Sequence, residues 1–420
     1  MARKKRKKNI IKEVLSWLHL WLGLIAGIIV FISMIGASIF VWEEELTNWW
    51  YADAVYNEET STDKATISMS QAYAAARKAH PNKEFTFVEV LNKPNRNYAV
   101  RSYKAAEEKG WTWASGIEHY LVVFVNPYTG QVEGEIDKKR DWITQMRFLH
   151  QNLLLRSDVG TEIVGAAALI MIILALTGLY LWWPKNKKVL KQRLKVKWKA
   201  SFKRVNWDVH SVGGFYTYLF LIFFAATGLV WTYKWWSNGI YRMLGDNPKE
   251  VFQRPDPPTL TKGDYIPTAD QVYADAIARQ PKWDKLYLNV PKADAEKGTI
   301  SAGLYYKGNS WWEMSDYYYY HPETAGLEYS MAHDEKMTGE KWRHSNYAMH
   351  VGSIYGTPTK IIAFICALFF AVLPVSGFLI WWGRKKKKNR AAQRRSARVT
   401  TRTTIAEPKV IVTNLKTKNT

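Results

Sequence analysis

The sequence predicts an α-helical membrane protein with four transmembrane helices in two tandem repeats, each repeat carrying an α+β domain outside the cytoplasm. Four stretches are apolar for about 20 residues or more, the length that about 30 Å of hydrocarbon asks of a helix. Lys and Arg are concentrated in the segments that precede, join and follow these stretches. The order span, long polar segment, span occurs twice, with matching residues at matching places.

Composition supports this division. The chain has 420 residues, 47% hydrophobic and 15% aromatic, with 21 Trp and 24 Tyr. Its mean hydropathy of -0.28 excludes a protein that is nearly all membrane, so the spans must be joined to sizeable soluble parts. The single cysteine, Cys366, excludes an internal disulfide, a thiolate zinc site and a cysteine-ligated iron–sulfur cluster. A metal held by this chain would sit on histidine, carboxylate or other non-thiolate ligands.

Residues 1–13 form a basic N-terminus and 14–42 the first span, read as an uncleaved anchor because its apolar part is too long for a signal peptide and shows no small-residue cleavage site before Glu43. Residues 43–160 follow as the first outer domain, with a helix over 70–80 and strands over 85–90, 98–101 and 119–125. The turn Asn126-Pro127-Tyr128-Thr129-Gly130 punctuates it. The second span is 161–183, the loop 184–206 returns the chain, and the third span is 207–236. Residues 237–358 form the second outer domain, with a helix over 268–279 and strands over 286–290, 300–306 and 313–320. The fourth span is 359–383, and 384–420 is a basic tail expected to be a disordered arm on anionic lipid headgroups.

Charge sets the orientation. The net charge of +22 is unevenly placed: residues 1–13, 184–206 and 384–420 hold 30 Lys and Arg against two acids, Glu13 and Glu407. The positive-inside rule therefore puts both termini and the 184–206 loop in the cytoplasm and the two long segments outside. The basic runs at 3–8 and 384–388 flank spans, so they are read as orientation signals rather than nucleic-acid sites. Neither a dinucleotide-binding GxGxxG after a strand nor a P-loop is present, and 184–206 is too short for a flavin or nicotinamide domain.

Four of the nine histidines occupy matching places in the two halves. His19 and His210 open the first and third spans, whereas His150 and His350 lie just before the second and fourth. Any one of them alone reads equally well as an interfacial anchor. Two mirrored pairs point further, because imidazole is the usual haem ligand where thiolate is absent, and one iron can take an axial histidine from each of two helices. Gly23 and Gly214 follow His19 and His210 by one helical turn on the same face, where a missing Cβ lets a flat macrocycle approach the backbone. His150 and His350 lack such a glycine. Two haems near opposite faces of the bundle would form a ladder carrying electrons from inside to outside. The Trp-Trp pairs at 49–50, 182–183, 235–236 and 381–382 belong to the interfacial aromatic belt. His344 is read as solvated at the membrane surface, with a place in the outer site as the alternative. His80, His119, His321 and His333 are read as ordinary surface histidines. The aromatic runs Trp311-Trp312 and Tyr317-Tyr318-Tyr319-Tyr320 are read as core rather than as a binding surface.

The pattern Trp17-Leu18-His19 with Gly23, Arg147-Phe148-Leu149-His150, His210 with Gly213-Gly214, and His350-Val351-Gly352 resembles the PepSY-associated transmembrane family. The Gly-x-x-x-Trp-Trp ends of the second and fourth spans add to the likeness, which extends over about residues 12–385. Residues 70–132 look like a PepSY domain and 265–330 like a diverged second one. The resemblance implies a multi-pass protein of the bacterial inner membrane with two haem b groups, whose iron is ligated axially by His19, His210, His150 and His350. It also implies reduction of a ferric siderophore in the periplasm; because no nucleotide-binding motif is visible, the electron donor is expected to be a membrane quinol or a cytoplasmic reductase. Some relatives carry a cytoplasmic flavin-containing reductase domain after the fourth span, which is not expected in this chain.

Two rival readings stay open at this stage. One is a non-catalytic scaffold whose PepSY-like domains bind or restrain a partner protein, with structural histidines. The other keeps the haems and makes the terminal acceptor a copper or respiratory partner.

Overall fold

A computed structural model describes residues 9–405 except 60, 62, 63, 109 and 309, and the side chains among these except 388 and 394–405. The basic run at 3–8 and the last part of the tail lie outside the described residues. The chain is a membrane protein: four of its described helical segments, Ile10–Phe40, Ser157–Trp182, Phe202–Thr232 and Thr357–Gln393, are long and apolar enough to cross a bilayer.

Helix α1 (Ile10–Phe40) is the first span, capped by the Asn9 side chain, which accepts from the Lys12 amide. Two short helices, α2 (Glu43–Trp50) and α3 (Ala52–Val55), lead away from it. Helix α4 (Met69–Ala79) starts with a capping box, Ser68 accepting from the Gln71 amide while the Gln71 side chain accepts from the Ser68 amide. Strands β1 (Phe87–Leu91), β2 (Tyr98–Ala105), β3 (Ile117–Val125) and β4 (Val132–Asp137) follow. Asp141 then caps α5 (Trp142–Asn152), which delivers the chain to α6 (Ser157–Trp182), the second span.

The second half repeats the order. After α7 (Lys187–Arg193), the third span is built from α8 (Phe202–Asp208), a π-helical turn at Val209–Gly213 and α9 (Gly214–Thr232). Helices α10 (Lys234–Met243) and α11 (Ala269–Arg279) precede β5 (Trp283–Asn289), β6 (Ile300–Tyr306), β7 (Met314–Tyr320) and β8 (Leu327–Met331). Helix α12 (Thr338–Val351) leads to α13 (Thr357–Ile405), the fourth span. The left-handed residue ending α12 is Gly352, at φ 78°, where an added Cβ would meet the Thr359 carbonyl at 2.6 Å. Helix α13 continues to Ile405, which corrects the expectation of a disordered arm from residue 384 onward for the described part of the tail.

The two outer segments join in one sheet. Its order is β4-β3-β2-β1-β5-β6-β7-β8, antiparallel throughout and symmetric about the junction of β1 with β5. That junction pairs Phe87 with Asn289 through to Leu91 with Lys285 and turns two potential free edges into a ladder. One face of the whole sheet buries Val88, Val100, Val123, Leu286, Leu288 and Leu304 against α4 and α11 in a single core. The expected pair of outer domains is thus continuous in structure, and each segment contributes a fourth strand, β4 or β8, that its sequence did not announce. The opposite face turns toward the bundle, with Val122 and Phe124 packing on α3 and Tyr317 stacking on His344 of α12. Within the bundle, α1 packs on α6 and α13, and α6 packs on α9.

Candidate functional site

The bundle brings the four histidines together in two pairs. At the end far from the sheet, His19 of α1 and His210 of the π-helical turn have ring centroids 6.3 Å apart, with ring planes at 84°. Beneath the sheet, His150 of α5 and His350 of α12 have centroids 5.9 Å apart, with planes at 29°. The pairs lie at different depths: His150 meets α1 at Ser33, fourteen residues and about 21 Å of helix from His19.

Each imidazole is held through Nδ1 by a hydroxyl. Thr177 holds His19 at 3.0 Å, Ser376 holds His210 at 2.9 Å, Ser33 holds His150 at 3.0 Å and Thr227 holds His350 at 2.9 Å. These hydroxyls spend their own hydrogen elsewhere: Thr177 donates to the Ile173 carbonyl, Thr227 to Phe223, Ser376 to Leu373 and Ser33 to the His150 carbonyl. The oxygen is then left to accept, so Nδ1 carries the proton. For His150 and His210 a carbonyl that can only accept, Ser33 O or Leu373 O, also stands 3.2 Å from Nδ1 and requires the same tautomer. In all four rings Nε2 is consequently the atom with a free lone pair, the state of a neutral imidazole ready to ligate a metal.

Glycines set how closely the rings lie against the helices. A Cβ on Gly178 would stand 3.1 Å from the Cε1 of His19, on Gly377 3.2 Å from that of His210, and on Gly228 3.2 Å from that of His350. On α1, Gly36 plays the corresponding part for α5, since a Cβ there would meet the backbone nitrogen of His150 at 2.8 Å. These residues went unassigned in the sequence reading. Their signal was present as Thr177-Gly178, Thr227-Gly228 and Ser376-Gly377, a hydroxyl residue followed by glycine in three apolar spans. Gly23 and Gly214, singled out from spacing, have Leu174 and Leu373 as nearest neighbours at 3.8 Å, ordinary contact distance.

Between His150 and His350 a cavity of about 410 Å³ opens, within the range of small-molecule and cofactor sites. Its walls are mainly apolar, among them Val30, Met171, Leu221, Phe224 and Phe370, with Arg147 also lining it. Among the described residues no three His, Cys, Asp or Glu side chains gather as a metal site, so each pair offers two imidazole ligands. Two axial ligands fit an iron whose equatorial ligands come from a macrocycle. The spacing agrees: with metal–nitrogen bonds of about 2.0 Å, two imidazoles on one metal have centroids roughly 6.4 Å apart.

The family model for the PepSY-associated TM region matches residues 16–384, most of the chain. The chain belongs to the PepSY-associated transmembrane family. A search of curated proteins finds no match to it. The match to the PepSY-associated family spans all four histidines, their hydroxyl partners and the sheet between them.

Two of the remaining histidines, His344 and His333, sort differently from expectation. His344 is not solvated: it stacks on Tyr317 at 4.7 Å, meets Phe252 at 5.0 Å, and its Nδ1 is buried without a partner. Burial, with Lys336, Arg254 and Arg343 nearby, pushes its pKa down to about 3. It is absent from the lining of the His150–His350 cavity. His333 is also no surface residue, being 4% exposed beside Asp316 and Ser310. The side chain of His80 pairs with Glu135 at 2.6 Å, and His119 bonds Ser102 at 2.8 Å. In the tyrosine run, Tyr318 and Tyr320 are core residues as expected, whereas Tyr317 faces α12, and Trp311, also expected in the core, is 83% exposed.

Proposed function

We propose that the protein is a di-haem electron-transfer protein of the bacterial inner membrane that reduces a ferric siderophore in the periplasm and so releases its iron. The observation that supports this reading is the geometry of the two histidine pairs, each spaced for one metal and each ring fixed by a hydroxyl with Nε2 free. Haem, when bound, supplies reversible one-electron exchange at an iron held by two imidazoles. The chain's own part is to hold the rings, fix their tautomer and exclude water. Ser33, Thr177, Thr227 and Ser376 do the first two, and the apolar walls around His150 and His350 do the third.

Charge supports the direction. The His19–His210 pair lies toward the basic segments, where a membrane quinol or a cytoplasmic reductase supplies electrons. The His150–His350 pair lies beneath the sheet, on the side where a polar chelate too bulky for the bilayer is met. There an Fe(III) chelate takes one electron and becomes Fe(II), which hard oxygen ligands hold less well.

The deciding experiment is the absorbance spectrum and haem content of the purified protein. Two b-type haems per chain with a Soret band that sharpens on reduction are expected. A haem-free protein from haem-replete cells would favour the scaffold reading.

A further inference from the structure

We propose that Arg147, with Tyr347 beside it, anchors the acid side chains of a porphyrin in the cavity beneath the sheet. The inference rests on the haem reading of that cavity and adds to it the residues that recognise the carboxylate edge.

Both side chains line the same cavity as His150 and His350. Arg147 stands three residues before His150 on α5, and Tyr347 three residues before His350 on α12. That offset is about 4.5 Å of helix and keeps each residue on the face of its histidine. Since α5 and α12 both run from the sheet toward the following span, Arg147 and Tyr347 mark the sheet-side mouth of the cavity. The arrangement is an apolar slot with two imidazoles across it and a polar rim at one end, the outline of an amphipathic plate with acids on one edge.

Arg147 also makes no ion pair among the described residues. Its Nε is buried with no hydrogen-bond partner, and among the described residues no carboxylate lies within ion-pair distance of its guanidinium. Glu43 feels its charge but makes no ion pair with it. The guanidinium centre lies 5.7 Å from the ring centroids of both Phe40 and Phe148, contacts that steady the group and use none of its donors. Phe40 in turn meets Tyr347 edge-on at 6.4 Å, tying the two rim residues together. With Glu43 near but not bonded to it, a guanidinium at the edge of a membrane site keeps its donors unspent, which is costly unless a ligand takes them up. A carboxylate suits it best, because the planar fork takes both oxygens at once.

The test uses the full chain with His19→Ala and His210→Ala, so that the sheet-side pair alone remains, prepared without haem. It is titrated with protohaem and with protohaem dimethyl ester, whose acids are blocked, and binding is read by absorbance. The diacid should bind at least about tenfold tighter than the diester. Arg147→Leu should bring the two ligands close to equal, Arg147→Lys should keep part of the preference, and Tyr347→Phe should have a smaller effect of the same sign. The midpoint potential of the bound haem should fall in Arg147→Leu, since a nearby cation favours the reduced iron. The comparison of diacid with diester needs no change at Arg147, so a misfolded variant does not remove it. Equal affinity for the two ligands with Arg147 in place would overturn the anchor while leaving haem binding intact; it would point instead to another anion at Arg147, such as a lipid headgroup. If neither compound gave a bound spectrum, the haem reading of the cavity would fall with it.

Discussion

The Thr227 hydroxyl lies 2.9 Å from Nδ1 of His350 and donates to the Phe223 carbonyl at 2.8 Å, so one side chain closes a helix turn on α9 and fixes the tautomer of a ring on α12. Outer partners of metal-ligating histidines typically contribute about 10–100-fold to ligand affinity. Thr227→Val, which keeps the shape and removes the acceptor, should therefore weaken haem binding at the sheet-side pair by that order. Thr227→Ser should retain most of it. Haem titration of the two variants checks the contrast, and equal behaviour would make the hydroxyl incidental.

The glycines behind the rings give a second contrast. An Ala at Gly178, Gly228 or Gly377 would place its Cβ 3.1–3.2 Å from an imidazole carbon and force the ring to move. Each should cost haem at its own pair only: Gly178→Ala and Gly377→Ala at His19–His210, Gly228→Ala at His150–His350. Gly23→Ala and Gly214→Ala meet nothing closer than 3.8 Å within the protein. Loss of haem in these two would mean that the macrocycle itself lies over them, and full retention would remove them from the site.

The sheet makes a prediction about stability. Leu286 and Leu288 are fully buried at the β5 junction in a core that both halves share. Leu286→Ala should destabilise by about 2–5 kcal/mol. Because α4 and α11 pack on the same core, the loss should appear as one cooperative transition for the whole sheet, measured by hydrogen exchange of β2 and β6. Protection lost in β6 while β2 stays unchanged would show two independent domains.

The four spans were legible because a bilayer demands a contrast between apolar and charged residues that composition alone reveals. The histidine pairs were legible because the order of elements occurs twice. What escaped has physical reasons. Strand β4 reads Val-Glu-Gly-Glu-Ile-Asp at an exposed edge, where only Ile136 need be buried, so its alternation is faint. The junction of β1 with β5 depends on which edge meets which, and a run such as 85–90 does not encode its partner. Thr177 and Thr227 sit in apolar helices as near-neutral residues, and only the neighbouring ring explains them. His344 looks solvated in a polar stretch, yet Tyr317 from a strand nearly thirty residues away covers it.

That buried histidine makes stability sensitive to acid. In the folded protein the pKa of His344 is pushed down to about 3, by burial first and then by Lys336, Arg254, Arg343 and His333, against 6.5 when unfolded. Below 6.5 the unfolded chain takes up a proton that the folded state refuses, so stability falls as pH drops through the window from 6.5 toward 3. The slope from this one group is at most about 1.4 kcal/mol per pH unit. His344→Gln should flatten the decline in detergent melting temperature between pH 7 and pH 5. An unchanged slope would show that His344 is reached by water.

The histidine pairing itself carries the last prediction. His19 and His210 face one another at 6.3 Å, close to the spacing of two rings on one metal, and their hydroxyl partners belong to different helices, Thr177 on α6 and Ser376 on α13. If the two rings serve one iron, either one alone leaves it with an open axial position and a weakened hold. His19→Ala and His210→Ala should then remove the same haem, about half of the total, and the double variant should remove no more. The haem that remains should be lost only when His150 or His350 is changed as well. Separate and additive losses for His19 and His210 would mean two independent sites at that end of the bundle, and the pairing would have to be abandoned.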